Sequence, residues 1–279
     1  MGEKYIDLHI HTKCSDGELP ADQVIARAQE AGMSCIALTD HNVFAIYEPL
    51  HAAGLTVLPG AEFSTMYVYD AGKKREIHLL GIFPQGVDRK LDEIWECVEK
   101  DPWIEAMLEL LESLGIHITV EELHRRNPES KRMNRSQVAK MLVEKGYAKD
   151  RDDAMDRFIG NRSPYYINPA DYVKYIPLKD CVHKILEYGG IPILAHPLHY
   201  GFAKEQVEGL VAYYAGLSDG PLGMEVYYGK YNEEEVQWLK ELADQYGLLP
   251  SAGSDFHKTS HTFVRGREEL LCEMRKVEV

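Results

Sequence analysis

The sequence predicts an α/β fold, a distorted (β/α)7 barrel with a helical insertion capping the C-terminal face, on three observations. Short apolar runs alternate with helical patterns through most of the chain. Histidines and carboxylates fall at or just past the ends of those runs. From about Pro102 to Pro164 the strand signal stops and helical periodicity alone remains. Side chains at the C-terminal ends of barrel strands converge on one pocket, so the position of the polar residues argues for a barrel and for chemistry at its mouth.

The first run, Tyr5-Ile6-Asp7-Leu8, leads into His9 and His11, with Asp16 five residues on. A polar loop reaches Leu19 and Pro20. Val24, Ile25, Ala28 and Ala31 then repeat at helical spacing, and Gly32 supplies the stop. Strands are expected over 35–39, leading into Asp40 and His41; over 56–59, ahead of Glu62; and over 77–83, where His78 is exceptional in standing near the start of its run. Three more follow late: 191–195 ahead of His196, 223–228, and 248–251 ahead of Asp255 and His257. Helices over 178–188, 204–214 and 233–246 lie between them. Seven strands with intervening helices point to a parallel barrel, an irregular version of the eight-stranded form.

In the intervening segment Ile104, Met107, Leu108, Leu111 and Leu114 form one apolar stripe closed by Gly115. A second helix is expected over 134–144, capped by Asn134 and ended by Gly146. The organisation expected is a barrel in two parts, 1–101 and 165–279, with an insertion at 102–164. Between His124 and Lys149 stand eight Lys or Arg against Glu129 and Glu144, a local charge of +6 in a chain of -14. The overall charge argues against general nucleic-acid binding, because a phosphate backbone repels such a surface.

A 45% hydrophobic and 27% charged composition is that of an ordinary globular protein. No apolar stretch approaches the ~20 residues needed to span a bilayer, so no membrane association is expected. Five cysteines without close-paired spacing (Cys14, Cys35, Cys97, Cys181, Cys272) and a start without a signal segment predict a reduced, cytoplasmic setting. No stable protein partner is indicated.

His9 and His11, two apart on an extended segment, leave the same face and can grip one ion. Any single histidine has a bland alternative as a hydrogen-bonded core residue. Nine candidate ligands together do not: His9, His11, Asp16, His41, Glu62, His78, His196, Asp255 and His257. Nine exceeds one coordination sphere, so two to three divalent ions are implied, with one carboxylate bridging. Mixed imidazole and carboxylate donors suit Mn, Zn or Fe.

These motifs resemble the polymerase and histidinol phosphatase (PHP) family: Asp7-Leu8-His9-Ile10-His11, Ser15-Asp16-Gly17, Thr39-Asp40-His41, Gly60-Ala61-Glu62, Ala195-His196-Pro197 and Gly253-Ser254-Asp255-Phe256-His257. The match runs in order from Tyr5 to His257. The segment Asn134-Arg135-Ser136-Gln137-Val138-Ala139 further resembles the branch of nucleoside 3',5'-bisphosphate phosphatases and 5'-3' exonucleases. The resemblance implies a TIM-like barrel and three metal positions. His9, His11, Glu62 and Asp255 would hold the first, Glu62, His78 and His196 the second, and Asp16, His41 and His257 the third. Glu62 would bridge the first two. Asp7 and Asp40 would orient the imidazoles rather than bind ions.

Clustered divalent ions lower the pKa of bound water toward ~7, hold phosphoryl oxygens and stabilise charge on the leaving oxygen. The expected chemistry is therefore in-line attack by a metal-bridging hydroxide without a covalent intermediate, with Glu62, Asp255 and His257 at the reacting centre and Asp255 or His257 relaying protons. No Gly-rich phosphate loop or nucleophilic Ser or Cys motif is present. Arg135, at a predicted helix N-terminus, is the leading donor to substrate phosphate; Arg162, His199 and His261 are further candidates. The bisphosphate branch carries Arg two residues after its His-Pro motif, where this chain has His199, and a Gly-Lys-Pro loop where it has Arg162-Ser163-Pro164. Tyr165, Tyr166, Tyr227 and Tyr228 offer faces for a base, although at least one of each pair should be core. The substrate expected is a small phosphorylated molecule, a nucleotide such as AMP or a 3',5'-bisphosphate, or a short 5'-phosphorylated oligonucleotide. The alternatives are histidinol-phosphate phosphatase and a non-catalytic metal-binding accessory module. Arg135→Ala is expected to raise KM for a phosphate monoester more than it lowers kcat; an unchanged kinetic profile would remove Arg135 from the site.

Overall fold

The computed structural model describes residues 4–95, 101–128, 133–161 and 163–267. The chain divides into two compact units, Met1–Trp95 with Ile176–Val279, and Glu96–Tyr175. The first unit begins with β1 (Tyr5–Ile10), α1 (Ala21–Glu30), β2 (Met33–Leu38), β3 (Leu50–Ala52), β4 (Leu55–Tyr69), β5 (Lys73–Ile82) and α2 (Lys90–Trp95). The second unit contains α3 (Asp101–Ser113), α4 (Val120–Arg126), α5 (Arg135–Glu144) and α6 (Arg151–Ala154). The first unit resumes with β6 (Ile176–Pro177), α7 (Leu178–Glu187), β7 (Ile191–Leu194), α8 (Lys204–Ala215), β8 (Gly223–Tyr228), α9 (Glu233–Tyr246), β9 (Leu249–Gly253) and β10 (Gly266–Arg267).

The strands form one sheet in the order β10-β1-β2-β4-β5-β7-β8-β9, with β3 and β6 paired to β4. Its far ends meet: Ile10 and Phe256 bridge in parallel, and the His11 N–H donates to the Phe256 carbonyl at 2.9 Å. The result is a nearly closed barrel. Ile6, Leu8, Cys35, Ala37, Leu58, Leu80, Ile82, Ile191, Ile193 and Ala195 fill its interior. The alternate residues pack outward under helices, Ile36, Leu38 and Val57 with Val24 and Ala28 of α1, and Phe63, Leu79, Met224 and Val226 with α7, α8 and α9.

Three strands depart from the all-parallel expectation: the short β3 and β10, antiparallel to β4 and β1, and the long β5. β5 runs antiparallel to both of its neighbours, β4 and β7. The cause is local: β4 and β5 are joined by the turn Asp70–Gly72, where Ala71 takes φ 58°. Parallel strands need a crossover of about a dozen residues or more, and this link is too short for one. Because β5 is reversed, its N-terminal half lies at the barrel end where the other strands finish. His78 near the start of its run is therefore in step with the other candidates.

In the second unit α4 and α5 each carry a capping box, Thr119 with Glu122 and Asn134 with Gln137. α5 packs with α4 and α6. Part of the basic stretch is neutralised here, Arg126 by Glu144 at 2.7 Å and Lys145 by Glu122 at 2.7 Å. Glu129, Lys131 and Arg132 lie outside the described residues. Among the described residues no helix is long and apolar enough to cross a membrane.

Candidate metal centre

A parity change in β1 builds the first half of the site. Ile6 and Leu8 face the barrel interior, but Ile10 packs outward under α1. The register with β2 shifts between Asp7 and Ile10, and that bulge turns both His9 and His11 inward above Leu8. Both imidazoles are fully buried, with their Nε2 atoms 3.1 Å apart. β8 has a second shift between Glu225 and Tyr227. Its Met224 and Val226 are in the outer core, and Glu225 between them is fully buried and points inward.

Glu62 stands at the centre, 1% exposed. Its two oxygens serve different neighbours. Oε1 lies 2.8 Å from His78 Nδ1 and 2.9 Å from His196 Nε2. Oε2 lies 3.4 Å from His9 Nε2, 3.3 Å from His11 Nε2 and 3.0 Å from His41 Nδ1. Asp255 Oδ1 closes the His9–His11 side, 3.7 and 3.4 Å from their Nε2 atoms. Asp16 Oδ1 lies 3.1 Å from His257 Nε2, 3.6 Å from His11 Nδ1 and 3.9 Å from His41 Nε2. All nine sequence candidates thus meet in one place. Among the described residues, three overlapping groups have donor atoms within 4.8 Å of one another: His11, Asp16, His41 and His257; His9, His11 and Glu62; and His41, Glu62 and His78.

The donors fit cations. Glu62 Oε2, His11 Nδ1, His41 Nδ1 and His196 Nδ1 are buried without a hydrogen-bond partner, a state that native proteins seldom leave unexplained. A carboxylate oxygen facing three imidazole nitrogens without hydrogen bonding to them is the arrangement a metal ion would complete. Burial alone would raise the Glu62 pKa, but the imidazoles of His41, His78 and His9 outweigh it and hold the carboxyl well below its ordinary range. Burial likewise opposes charging of His9, yet Glu225 and Glu62 pull its pKa well above the ordinary imidazole value. The pocket therefore demands positive charge. Backbone strain coincides with it: His196 takes φ 27° and Asp255 φ 52°, left-handed conformations that cost of order 1–3 kcal/mol each and cluster at functional sites.

Glu225 is the functional residue that sequence reasoning missed. Its Oε1 is 2.9 Å from His9 Nδ1, and Oε2 accepts the His196 backbone N–H at 2.6 Å. A carboxylate can only accept, so His9 keeps a proton on Nδ1, and Nε2 is the nitrogen left to offer its lone pair to a cation in the cluster. A Cβ at Gly253 would collide with Glu225 Oε1 and with His9 Cβ, so glycine there lets the two approach. The available signal was an acid inside the apolar run of β8.

Asp7 and Asp40 act differently from the expectation. Asp7 accepts backbone N–H groups of His9, Ser254 and Val264. Asp40 accepts from the backbone and hydroxyl of Thr12 and of Ser15. They are fully buried and fix loops, not imidazoles, because the turns beside β1 and β9 leave amides that a buried acceptor must satisfy.

The expected phosphate donors belong to different units of the chain. Arg162 lies outside the described residues. Arg135 begins α5 of the second unit, where it donates to Asn161 Oδ1 at 2.7 Å and lies over the Trp103 ring. His199 stacks on His196, centroids 5.8 Å apart, and meets the Tyr228 ring edge-on at 4.8 Å. His261 Nδ1 accepts the His257 N–H at 3.1 Å, which anchors that loop. Tyr228 is buried, and its hydroxyl donates to Asp255 Oδ2 at 2.7 Å, so it positions a candidate ligand.

The PHP domain family matches residues 7–149, just over half of the chain. The chain belongs to the PHP family. It is similar to the 3',5'-nucleoside bisphosphate phosphatase of Chromobacterium violaceum, 28% identical over 258 residues covering 90% of this chain and 87% of that protein. It is also similar to the 5'-3' exoribonuclease Rnm of Escherichia coli, 28% identical over 273 residues covering 95% of this chain and 89% of that one. A solved structure of a Chromobacterium violaceum amidohydrolase with bound sulfate and no metal superposes with a TM-score of 0.78 at 26% identity, covering 97% of this chain and 96% of its own. This PHP protein is accordingly an enzyme, a phosphoesterase with His, Asp and Glu groups able to bind metal.

Proposed function

We propose that this PHP phosphoesterase hydrolyses the phosphate monoester of a small nucleotide, of the AMP or nucleoside 3',5'-bisphosphate type, or the 5' end of a short 5'-phosphorylated oligonucleotide. The observation that carries the metal-dependent reading is the divided Glu62 carboxylate, one oxygen toward His78 and His196, the other toward His9 and His11. The substrate class comes from the relatives' names, a bisphosphate phosphatase and an exoribonuclease.

In this reading Glu62 with His9, His11 and Asp255 would hold one cation, Glu62 with His78 and His196 a second, and Asp16, His41 and His257 a third. Bound there, divalent ions of the Mn, Zn or Fe type would acidify water and neutralise phosphoryl oxygens. Asp255 and His257, with Oδ1 and Nδ1 3.2 Å apart, are placed to pass a proton toward the leaving oxygen. Glu225 keeps His9 in its ligating tautomer.

The test is phosphate release from AMP, adenosine 3',5'-bisphosphate, a 5'-phosphorylated dinucleotide and histidinol phosphate, with manganese and with chelator. Turnover of the nucleotides that chelator abolishes is expected. Preference for histidinol phosphate would replace the substrate assignment, and turnover of none would leave an accessory metal-binding role.

A further inference from the structure

We propose that Lys230 binds a second anionic group of the substrate, beside the phosphoryl group handled at the cluster, and so sets the preference between singly and doubly phosphorylated nucleotides. The inference rests on the phosphoesterase reading above. Lys230 stands in a short turn after β8 whose backbone is pinned at several points. The Gly229 N–H donates to Gly253 O at 3.2 Å, the Tyr231 N–H to Tyr228 O at 3.0 Å, and the Leu198 N–H to the Tyr231 hydroxyl at 3.1 Å. From this fixed turn the ammonium reaches toward the centre, 3.4 Å from the Tyr228 hydroxyl and 3.6 Å from Asp255 Oδ2.

The two Asp255 oxygens separate the roles. Oδ1 faces His9, His11 and His257. Oδ2 faces outward and already takes the Tyr228 hydroxyl at 2.7 Å. Lys230 is therefore on the outer side of Asp255, 54% exposed at the side chain. An ammonium has three donors, and at these distances neither neighbour takes up more than a weak share of them. Around it the centre holds the carboxylates of Asp16, Glu62, Glu225 and Asp255, which would repel the remote end of a doubly phosphorylated substrate. Lys230 offers that end a mobile point charge suited to phosphate.

The competing role is neutralisation of Asp255, which would affect every substrate alike. Calorimetric titration of the metal-loaded full chain with non-hydrolysable analogues of adenosine 3',5'-bisphosphate and of AMP separates the two. The parent protein should hold the bisphosphate more tightly. In Lys230→Met the ratio of the two affinities should fall about tenfold, the effect of one charge-assisted contact, and Lys230→Arg should restore most of it. Circular dichroism should show both variants folded. Equal affinity of the parent for the two nucleotides, or an equal loss for both in Lys230→Met, would overturn the proposal. Because the readout is binding, absence of hydrolysis would defeat the phosphoesterase reading without deciding this one.

Discussion

Glu62→Gln is expected to lower kcat/KM on a nucleotide monophosphate by about 10³-fold or more, since several kcal/mol of charge stabilisation leave with the metals. The substitution keeps the side chain's size and removes its charge. Glu62 is the residue whose oxygens reach five of the imidazole ligands on two sides, His78 and His196 through Oε1, His9, His11 and His41 through Oε2. A glutamine retains one acceptor oxygen and presents an NH2 at the other position, where its protons meet ring nitrogens that must coordinate. Both positions that share the carboxylate should empty together. Elemental analysis should therefore register a loss of more than one equivalent of metal. The fold should persist, because exchanging a buried charge for a neutral isostere often leaves stability unchanged or improved. Retention of full metal content with unchanged turnover would end the bridging assignment.

How far the sequence disclosed this arrangement depends on which physical cause placed each residue. His41, His196 and Asp255 follow strand ends, and the barrel's convergence brings them together whatever the details, so apolar runs with polar ends were sufficient. The direction of β5 was not visible because it turns on whether the 77–83 run is approached through a crossover or a hairpin; the turn at Asp70–Gly72 decides it through Ala71, whose positive φ no glycine or asparagine announces at that position. The bulge at His9 has the same character: strict alternation would send His9 and Leu8 to opposite faces, and only the register shift against β2 lets both point inward. Asp7 and Asp40 were legible as buried acids but not in their partners, since the backbone amides they satisfy belong to loops that come together only in the closed barrel. Glu225 was the plainest signal left unread, an acid whose neighbours Met224 and Val226 mark an outward core face and thus place it inside.

Substitution of Glu225 should separate ligand orientation from ligand supply. In Glu225→Gln the amide oxygen can face His9 or the His196 N–H, but not both. If the NH2 faces His9 Nδ1, that nitrogen must become the acceptor, the ring proton moves to Nε2, and the lone pair that Glu225 had turned toward the cluster is lost. If the NH2 faces the His196 N–H, two donors oppose each other in a fully buried site. Either outcome weakens metal binding, by the ~10–100-fold usual for a residue that orients a ligating histidine. Activity should fall at limiting manganese and return substantially at excess manganese, because the nine candidate ligands remain; Glu62→Gln should not be rescued in this way. Glu225→Ala should behave similarly toward metal and in addition lose about 1–3 kcal/mol of stability, since the His196 N–H is left without an acceptor. The measurements are a manganese titration of kcat/KM and a urea melt of the metal-free protein. A Glu225→Gln enzyme with the parent's manganese dependence would show that the carboxylate does not set the His9 tautomer, and a Glu225→Ala melt matching the parent would show that the His196 amide finds another partner.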